Sequence, residues 1–279
     1  GLVYGQTRPL DARSVSGIIY RGGTMLRTAR CREFHSREGR ARAIETIRAA
    51  GLDGLVAIGG NGTYHGIAAL AAECDINIIG VPGTIDNDIA GTLYTIGFDT
   101  AVNTALDSID RIRDTSEAHE RVFVVEVMGR EAGFIAMEAG LAGGAEAVLV
   151  PELPVDLNAL CSDVLRWQAA GKKSCIIVVA EGAARGADVA SCIEQSTGVP
   201  TRLTVLGYIQ RGGKPTARDR SLATRLGYSA VMLLAEGRRS VAVGIGEAEN
   251  VCVCPLDEAI TGRRVLPPET GKVAMVTAG

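Results

Sequence analysis

The chain of 279 residues has a formal charge of −3 and is 47% apolar and 22% charged, enough for a large core and too apolar for a disordered segment. The absence of a basic excess argues against a nucleic-acid binder, and no apolar run nears the ~20 residues that cross a bilayer. Thirty-five glycines beside only 4% aromatics suit an α/β protein with many tight strand-to-helix turns.

A polar, Arg-rich opening leads into a helix expected over Arg40–Ala50. Short runs rich in Val and Ile follow at Leu55–Ile58, Ile76–Val81, Arg121–Val127, Ala147–Val150, Cys175–Ala180, Leu203–Ile209 and Val241–Ile245. They do not alternate polar with apolar, which is the pattern of parallel strands buried on both faces. Between them, Val102, Ala105, Leu106, Ile109 and Ile112 recur at three- and four-residue spacing, as do Leu222, Leu226, Ala230, Leu233 and Leu234 in Ala217–Leu234. Each series gives a helix one apolar stripe. Alternating β and α predict a doubly wound α/β fold with ligands at the carboxyl ends of strands. The seven cysteines (Cys31, Cys74, Cys161, Cys175, Cys192, Cys252 and Cys254) are odd in number, and most stand alone in apolar surroundings. This is the usage of reduced thiols in the cytoplasm. Cys252 and Cys254 form a C-x-C pair without a second pair or a nearby His, so no metal site is expected there.

Several strand exits carry chemistry. Gly59-Gly60-Asn61-Gly62-Thr63 leaves the first strand and opens a helix. Free N–H groups and the helix dipole suit an anion there, although a capped βα turn explains the same residues. Pro82-Gly83-Thr84-Ile85-Asp86-Asn87-Asp88 places two carboxylates two residues apart, beside a hydroxyl and an amide. Such a pair can hold magnesium or orient a hydroxyl nucleophile, with one Asp as base. A capping turn would account for one Asp and not for both. In Glu126-Val127-Met128-Gly129-Arg130-Glu131-Ala132-Gly133, an Arg between glycines suits a phosphate oxygen, and a surface pair with Glu131 or Glu126 is the plainer alternative. Arg202 and Arg211 stand at the two ends of the Leu203–Ile209 run, and Arg211 precedes two glycines. These residue types imply a phosphate-rich substrate and magnesium.

In this order and spacing, Arg21-Gly22-Gly23-Thr24, Pro82–Asp88, Glu126–Arg130 and Val205–Gly213 closely resemble the ATP-dependent 6-phosphofructokinase family, over Gly1 to about Arg264. The resemblance implies two doubly wound α/β/α lobes with the active site between them. Residues 1–97 and 214–263 would be the nucleotide lobe, residues 98–213 the fructose 6-phosphate lobe, and residues 264–279 a linker and the start of a possible second repeat. It implies transfer of the γ-phosphate of ATP to the C1 hydroxyl of fructose 6-phosphate, the committed step of glycolysis, with Mg2+ in a cytoplasmic, allosteric homo-oligomer, a tetramer in most bacterial relatives.

By the same resemblance Asp86 is the base, assisted by Thr84 and Asp88, and Arg130 meets the transferred phosphate. Met128, Gly129, Glu181, Arg202, Tyr208 and Arg211 contact the sugar phosphate, with Arg121 reaching across a subunit boundary. Arg30, Gly60, Asn61, Gly62 and Thr63 form the nucleotide side, and Asn61 and Asp88 stand at the metal. Gly62 and Gly83 occupy positions where pyrophosphate-using relatives carry Asp and Lys, which favours ATP.

The chain departs from the pattern at three points. Asn61 replaces an Asp, which removes charge from the metal side, and Tyr208 replaces a His. The strand and glycine-rich loop that open the family pattern have no counterpart before Gly1. Gly271–Gly279 resembles that missing strand, as in a slice of a tandem-repeat enzyme or a permuted gene, with the expectation that the chain binds fructose 6-phosphate better than ATP and turns over poorly. Arg113, Glu146 and Lys172 match part of the family's effector site, while Ala12 stands where an Arg is expected. A pyrophosphate-dependent enzyme and a non-catalytic sugar-phosphate-binding copy are the competing readings.

Overall fold

The computed structural model describes residues 1–116, 121–267 and 270. The tail Gly271–Gly279, expected to resemble an opening strand, lies outside the described residues.

The chain divides into two compact units. The first comprises Gly1–Thr84, Ile89–Ile96 and Lys214–Arg264; the second comprises Ile85–Asp88 and Gly97–Gly213, with the described residues after Arg264. The four-residue segment carrying Asp86 and Asp88 therefore belongs with the second unit, whereas the sequence reading placed it in the first.

In the first unit, irregular backbone with two short 3-10 turns, Leu2–Tyr4 and Glu33–His35, precedes helix α1 (Arg37–Ala49). The Ser36 hydroxyl accepts from the Gly39 N–H at 3.0 Å and fixes where α1 begins. Then come β1 (Gly54–Gly59), α2 (Asn61–Glu73), β2 (Asn77–Pro82) and, after the second unit, α7 (Ala217–Ala235), β7 (Val241–Ile245), β8 (Val251–Pro255) and α8 (Leu256–Thr261). The sheet order is β1-β2-β7-β8. The first three strands are parallel and β8 returns antiparallel to β7. Successive β2 residues feed opposite cores. Ile78 packs with Ile44, Ile47, Ile67 and Leu70, while Ile79 and Val81 pack with Leu222, Leu226 and Ala230 of α7. This two-sided burial is why β2 is a continuous apolar run.

The second unit contains α3 (Phe98–Ser116), β3 (Val122–Val127), α4 (Phe134–Ala142), β4 (Ala147–Leu149), α5 (Leu157–Ala169), β5 (Cys175–Ala180), α6 (Gly186–Thr197) and β6 (Thr201–Val205). Its sheet is wholly parallel, in the order β4-β5-β3-β6. Val122 and Val124 of β3, with Ile177 and Val179 of β5, pack against Leu160, Val164 and Trp167 of α5 and Val189 and Ile193 of α6.

Two expectations are corrected. The strand expected over Leu203–Ile209 ends at Val205, and Gly207–Arg211 is a 3-10 turn. Strand β8 was not foreseen, and it makes an otherwise parallel sheet mixed.

Candidate active site

The exit of β3 turns on two residues in the left-handed region, Gly129 (φ 142°) and Arg130 (φ 54°). A Cβ on Gly129 would collide with the Ala132 carbonyl oxygen, so this position requires glycine. The turn closes with the Ala132 N–H donating to the Gly129 carbonyl at 2.9 Å and hands the chain to α4. A left-handed arginine is a strained conformation held by its surroundings, as is common at functional sites.

The turn sends the Arg130 side chain outward, 61% exposed, with Nε 3.5 Å from Oδ2 of Asp86, whose side chain is only 10% exposed. Arg130 therefore pairs with Asp86. The alternative partner Glu126 is engaged elsewhere, its Oε2 accepting the Gly186 N–H at 2.6 Å. Burial pushes the Asp86 carboxyl above the usual Asp range, and the neighbouring charge of Asp88 pushes the same way. Arg130 opposes the shift, Glu181 adds to it, and Arg211 opposes it. Asp88 is itself buried.

Glu181 leaves β5 beside this turn, and its Oε1 accepts from the N–H groups of Gly129 at 3.3 Å and Arg130 at 2.9 Å. Buried Met128 donates its N–H to Oε1 of Gln210 at 2.8 Å. In the 3-10 turn after β6, the Arg211 guanidinium sits 4.7 Å from the centre of the Tyr208 ring, which is 77% exposed. The second unit thus gathers Asp86, Asp88, Met128, Gly129, Arg130 and Glu181, and Arg211 acts on Asp86 through its charge.

Arg121 and Arg202 lie elsewhere. Arg121 precedes β3, while Met128–Arg130 follow its carboxyl end. Arg202 pairs in register with Phe123 near the start of the same strand, exposed on the edge strand β6. Six residues of parallel strand at ~3.3 Å each separate the two ends by about 20 Å. The arginines expected to clamp one phosphate are therefore split between opposite ends of one sheet.

In the first unit, Gly60 caps α2, and Asn61, Gly62 and Thr63 form its first turn. The Gly83 N–H donates to the Gly59 carbonyl at 3.0 Å, tying the exits of β1 and β2 together. A Cβ on Gly60 would lie 3.3 Å from that of Thr84, so Thr84 stands against this turn. The buried Thr95 hydroxyl donates to the Thr84 carbonyl at 2.6 Å. Arg30 is exposed on irregular backbone. Among the described residues no three His, Cys, Asp or Glu side chains gather as a metal cage.

At the expected effector positions, Lys172 Nζ pairs with Glu146 Oε1 at 3.1 Å, and Arg113 donates to the Gly143 and Gly144 carbonyls at 2.7 Å. The sequence reading missed Gln210, Glu152 and Thr95. Gln210 stands next to Arg211 and was within reach of it; nothing in the sequence singles out Glu152 or Thr95.

Parallel α/β sheets with carboxylates and arginines at their strand exits define a class of proteins that bind anionic ligands at strand ends. The family model described as phosphofructokinase matches residues 1–234. The chain is 56% identical over 266 residues to the ATP-dependent 6-phosphofructokinase 1 of Thermus thermophilus, covering 95% of this chain and 82% of that one. It is 49% identical over 276 residues to the ATP-dependent 6-phosphofructokinase of Clostridium botulinum, covering 99% and 86%. The solved phosphofructokinase of Saccharomyces cerevisiae superposes with a TM-score of 0.87 at 33% identity; the match covers 93% of this chain and 39% of the yeast chain, so this chain spans about two fifths of that length. The chain belongs to the phosphofructokinase family.

Proposed function

We propose that the protein transfers the γ-phosphate of ATP to the C1 hydroxyl of fructose 6-phosphate, giving fructose 1,6-bisphosphate. The observation that carries this reading is the buried Asp86 carboxylate paired with an outward-facing Arg130 at a strand exit. Phosphoryl transfer asks little covalent chemistry of a protein, so positioning and charge do most of the work. Asp86, ionised, accepts the proton of the C1 hydroxyl as that oxygen attacks phosphorus. Burial and the Asp88 charge raise its proton affinity, which makes it the stronger proton acceptor. Arg130 meets the charge on the transferred phosphoryl group, and Glu181 holds the Arg130 backbone through Oε1, with its other oxygen assigned to the sugar hydroxyls. Tyr208 and Arg211 take the 6-phosphate. Thr84 assists at the acceptor, and Arg30 with Gly60–Thr63 serves the nucleotide.

Asp88 offers a carboxylate to magnesium, a hard cation that prefers oxygen. The repulsion by which Asp88 raises Asp86 is what a cation relieves. Magnesium supplies charge neutralisation on the transferred phosphate. Arg121 and Arg202, at the far end of the sheet, serve a neighbouring copy in a homo-oligomer, a tetramer on this reading. All seven cysteines are free, which supports a reducing cytoplasm.

The test is a coupled assay of fructose 1,6-bisphosphate formation with ATP, and with pyrophosphate in its place. Turnover with ATP alone is expected; turnover with pyrophosphate alone, or binding of fructose 6-phosphate without turnover from either donor, overturns the reading.

A further inference from the structure

The turn that presents Arg130 is held by side-chain acceptors arriving from three separate segments. Gln210 takes the Met128 N–H at 2.8 Å, Glu181 takes those of Gly129 and Arg130, and Glu152 takes the Gly133 N–H with both oxygens, at 3.0 and 3.1 Å. Gln210 comes from the 3-10 turn after β6 and Glu152 from the turn after β4. Main-chain donors of one short loop are thus fixed at its start, middle and end by groups far away in sequence.

Gln210 shows that this holding is selected over simple packing. The residue is 1% exposed, and its Nε2 is buried with no hydrogen-bond partner among the described residues. A buried amide NH2 without a partner is costly, and a Met or Leu would fill the same space without that cost. An apolar side chain would leave the buried Met128 N–H bare instead. The amide is therefore oriented by what it accepts. It also links the Tyr208–Arg211 turn to the Arg130 turn, so the two arms expected to grip opposite ends of the sugar phosphate share one hydrogen bond. Glu152 acts at the other end of the loop, where its carboxylate accepts from the N–H of Gly133, the residue that precedes α4.

We propose that Gln210 and Glu152 are positioning residues that hold the Met128–Gly133 turn preformed, so that Arg130 needs no rearrangement when the sugar phosphate arrives. Neither side chain touches substrate; each acts through the backbone it holds. A preformed turn avoids an ordering cost on binding and keeps the guanidinium within the narrow tolerance that catalysis demands. The inference rests on the proposed reaction, so turnover of the unsubstituted protein is measured first; its absence would sink that reading and leave the question of the turn to amide exchange.

The test compares Gln210→Met, Glu152→Ala and Glu152→Gln with the unsubstituted protein in three measurements. These are steady-state kinetics with each substrate, thermal melting, and hydrogen exchange of the Met128–Gly133 amides. Gln210→Met and Glu152→Ala are expected to speed exchange in this turn at least tenfold. They should lower kcat and raise KM for fructose 6-phosphate, together 10- to 100-fold in kcat/KM, while KM for ATP stays within twofold. Glu152→Gln keeps an acceptor and should return most of the rate. The proposal is overturned if exchange and kinetics are unchanged, if Glu152→Gln behaves like Glu152→Ala, or if the losses follow melting temperature and weaken both substrates alike.

Discussion

Asp86 is a carboxyl group that its surroundings bias toward the protonated form, and that bias has consequences for both rate and stability. Burial is the larger cause and the Asp88 charge the next, with Arg130 pulling the other way. In the proposed role of base Asp86 must be ionised to work, so turnover should fall as pH drops through the raised pKa. The acid limb of the kcat/KM profile for fructose 6-phosphate is therefore expected above the ordinary Asp range of ~3.9. Arg130→Ala removes an opposing charge, so the same limb should move further up, with a rate loss of roughly 10³-fold or more for the missing cation. A limb that stays put in Arg130→Ala would separate the two groups. Asp86→Asn should cost about 10²- to 10⁴-fold in kcat. Because the folded pKa is raised, the stability Asp86 contributes is present below the unfolded value and lost as pH rises through the folded one. Asp86→Asn should hence raise the melting temperature at neutral pH and cease to do so below the ordinary carboxylate range; a fall at pH 7 would contradict the burial argument. At this scale the sequence was informative where residue type limits the choices: two carboxylates two apart, and an Arg between glycines. It was silent on Glu181 holding the Arg130 backbone, because a bond between residues 51 apart requires β3 and β5 to be neighbours.

Strand exits, more than whole strands or helices, carry the candidate site, and their backbone geometry is checkable. Gly129→Ala forces a Cβ into the Ala132 carbonyl at a left-handed position. Strain of this kind costs ~1–3 kcal/mol, and since the turn must open to relieve it, activity should fall together with stability. A variant that melts and turns over like the original would show that the turn is softer than described. Tyr64, in α2, offers the opposite case. Its ring is fully buried against Gly80 of β2 and its hydroxyl has no partner among the described residues. Removing an unsatisfied polar atom relieves a penalty of ~1–3 kcal/mol, so Tyr64→Phe should be neutral or stabilising in a denaturant titration. Most elements were legible because two-sided burial leaves unbroken runs of Val and Ile. The misread ones have physical reasons. Leu203–Ile209 stays apolar past its last ladder bond, so composition could not show the switch from β6 to a 3-10 turn. In β8, Val251-Cys252-Val253-Cys254 is short and lies at a sheet edge, where antiparallel pairing to β7 supplies what sequence periodicity lacks.

One chain of this protein holds an Arg130 end and an Arg121 end on the same strand, about 20 Å apart by strand rise, and a single sugar phosphate cannot span both. The sequence placed Arg121 across a subunit boundary by resemblance alone, and it grouped Arg202 with Arg211 because they flank one apolar run. The register of β6 on β3 instead sets Arg202 beside Phe123, at Arg121's end. Pairing register is a non-local property, and no local pattern carried it. If these two arginines complete the site of a second copy, damage at the two ends should complement. Arg121→Ala or Arg202→Ala removes charge-assisted hydrogen bonds worth ~1.5–3 kcal/mol each, so KM for fructose 6-phosphate should rise about 10- to 100-fold. Asp86→Asn abolishes most turnover with the arginines intact. Refolding a mixture of Arg121→Ala and Asp86→Asn chains then yields assemblies in which an intact Asp86 faces an intact Arg121 from the other chain. Turnover at low fructose 6-phosphate should reappear in the mixture and be absent from either parent. A mixture as inactive as its parents, with exchange of chains verified by mass spectrometry, would mean that each site draws only on its own chain and that Arg121 and Arg202 serve some other purpose.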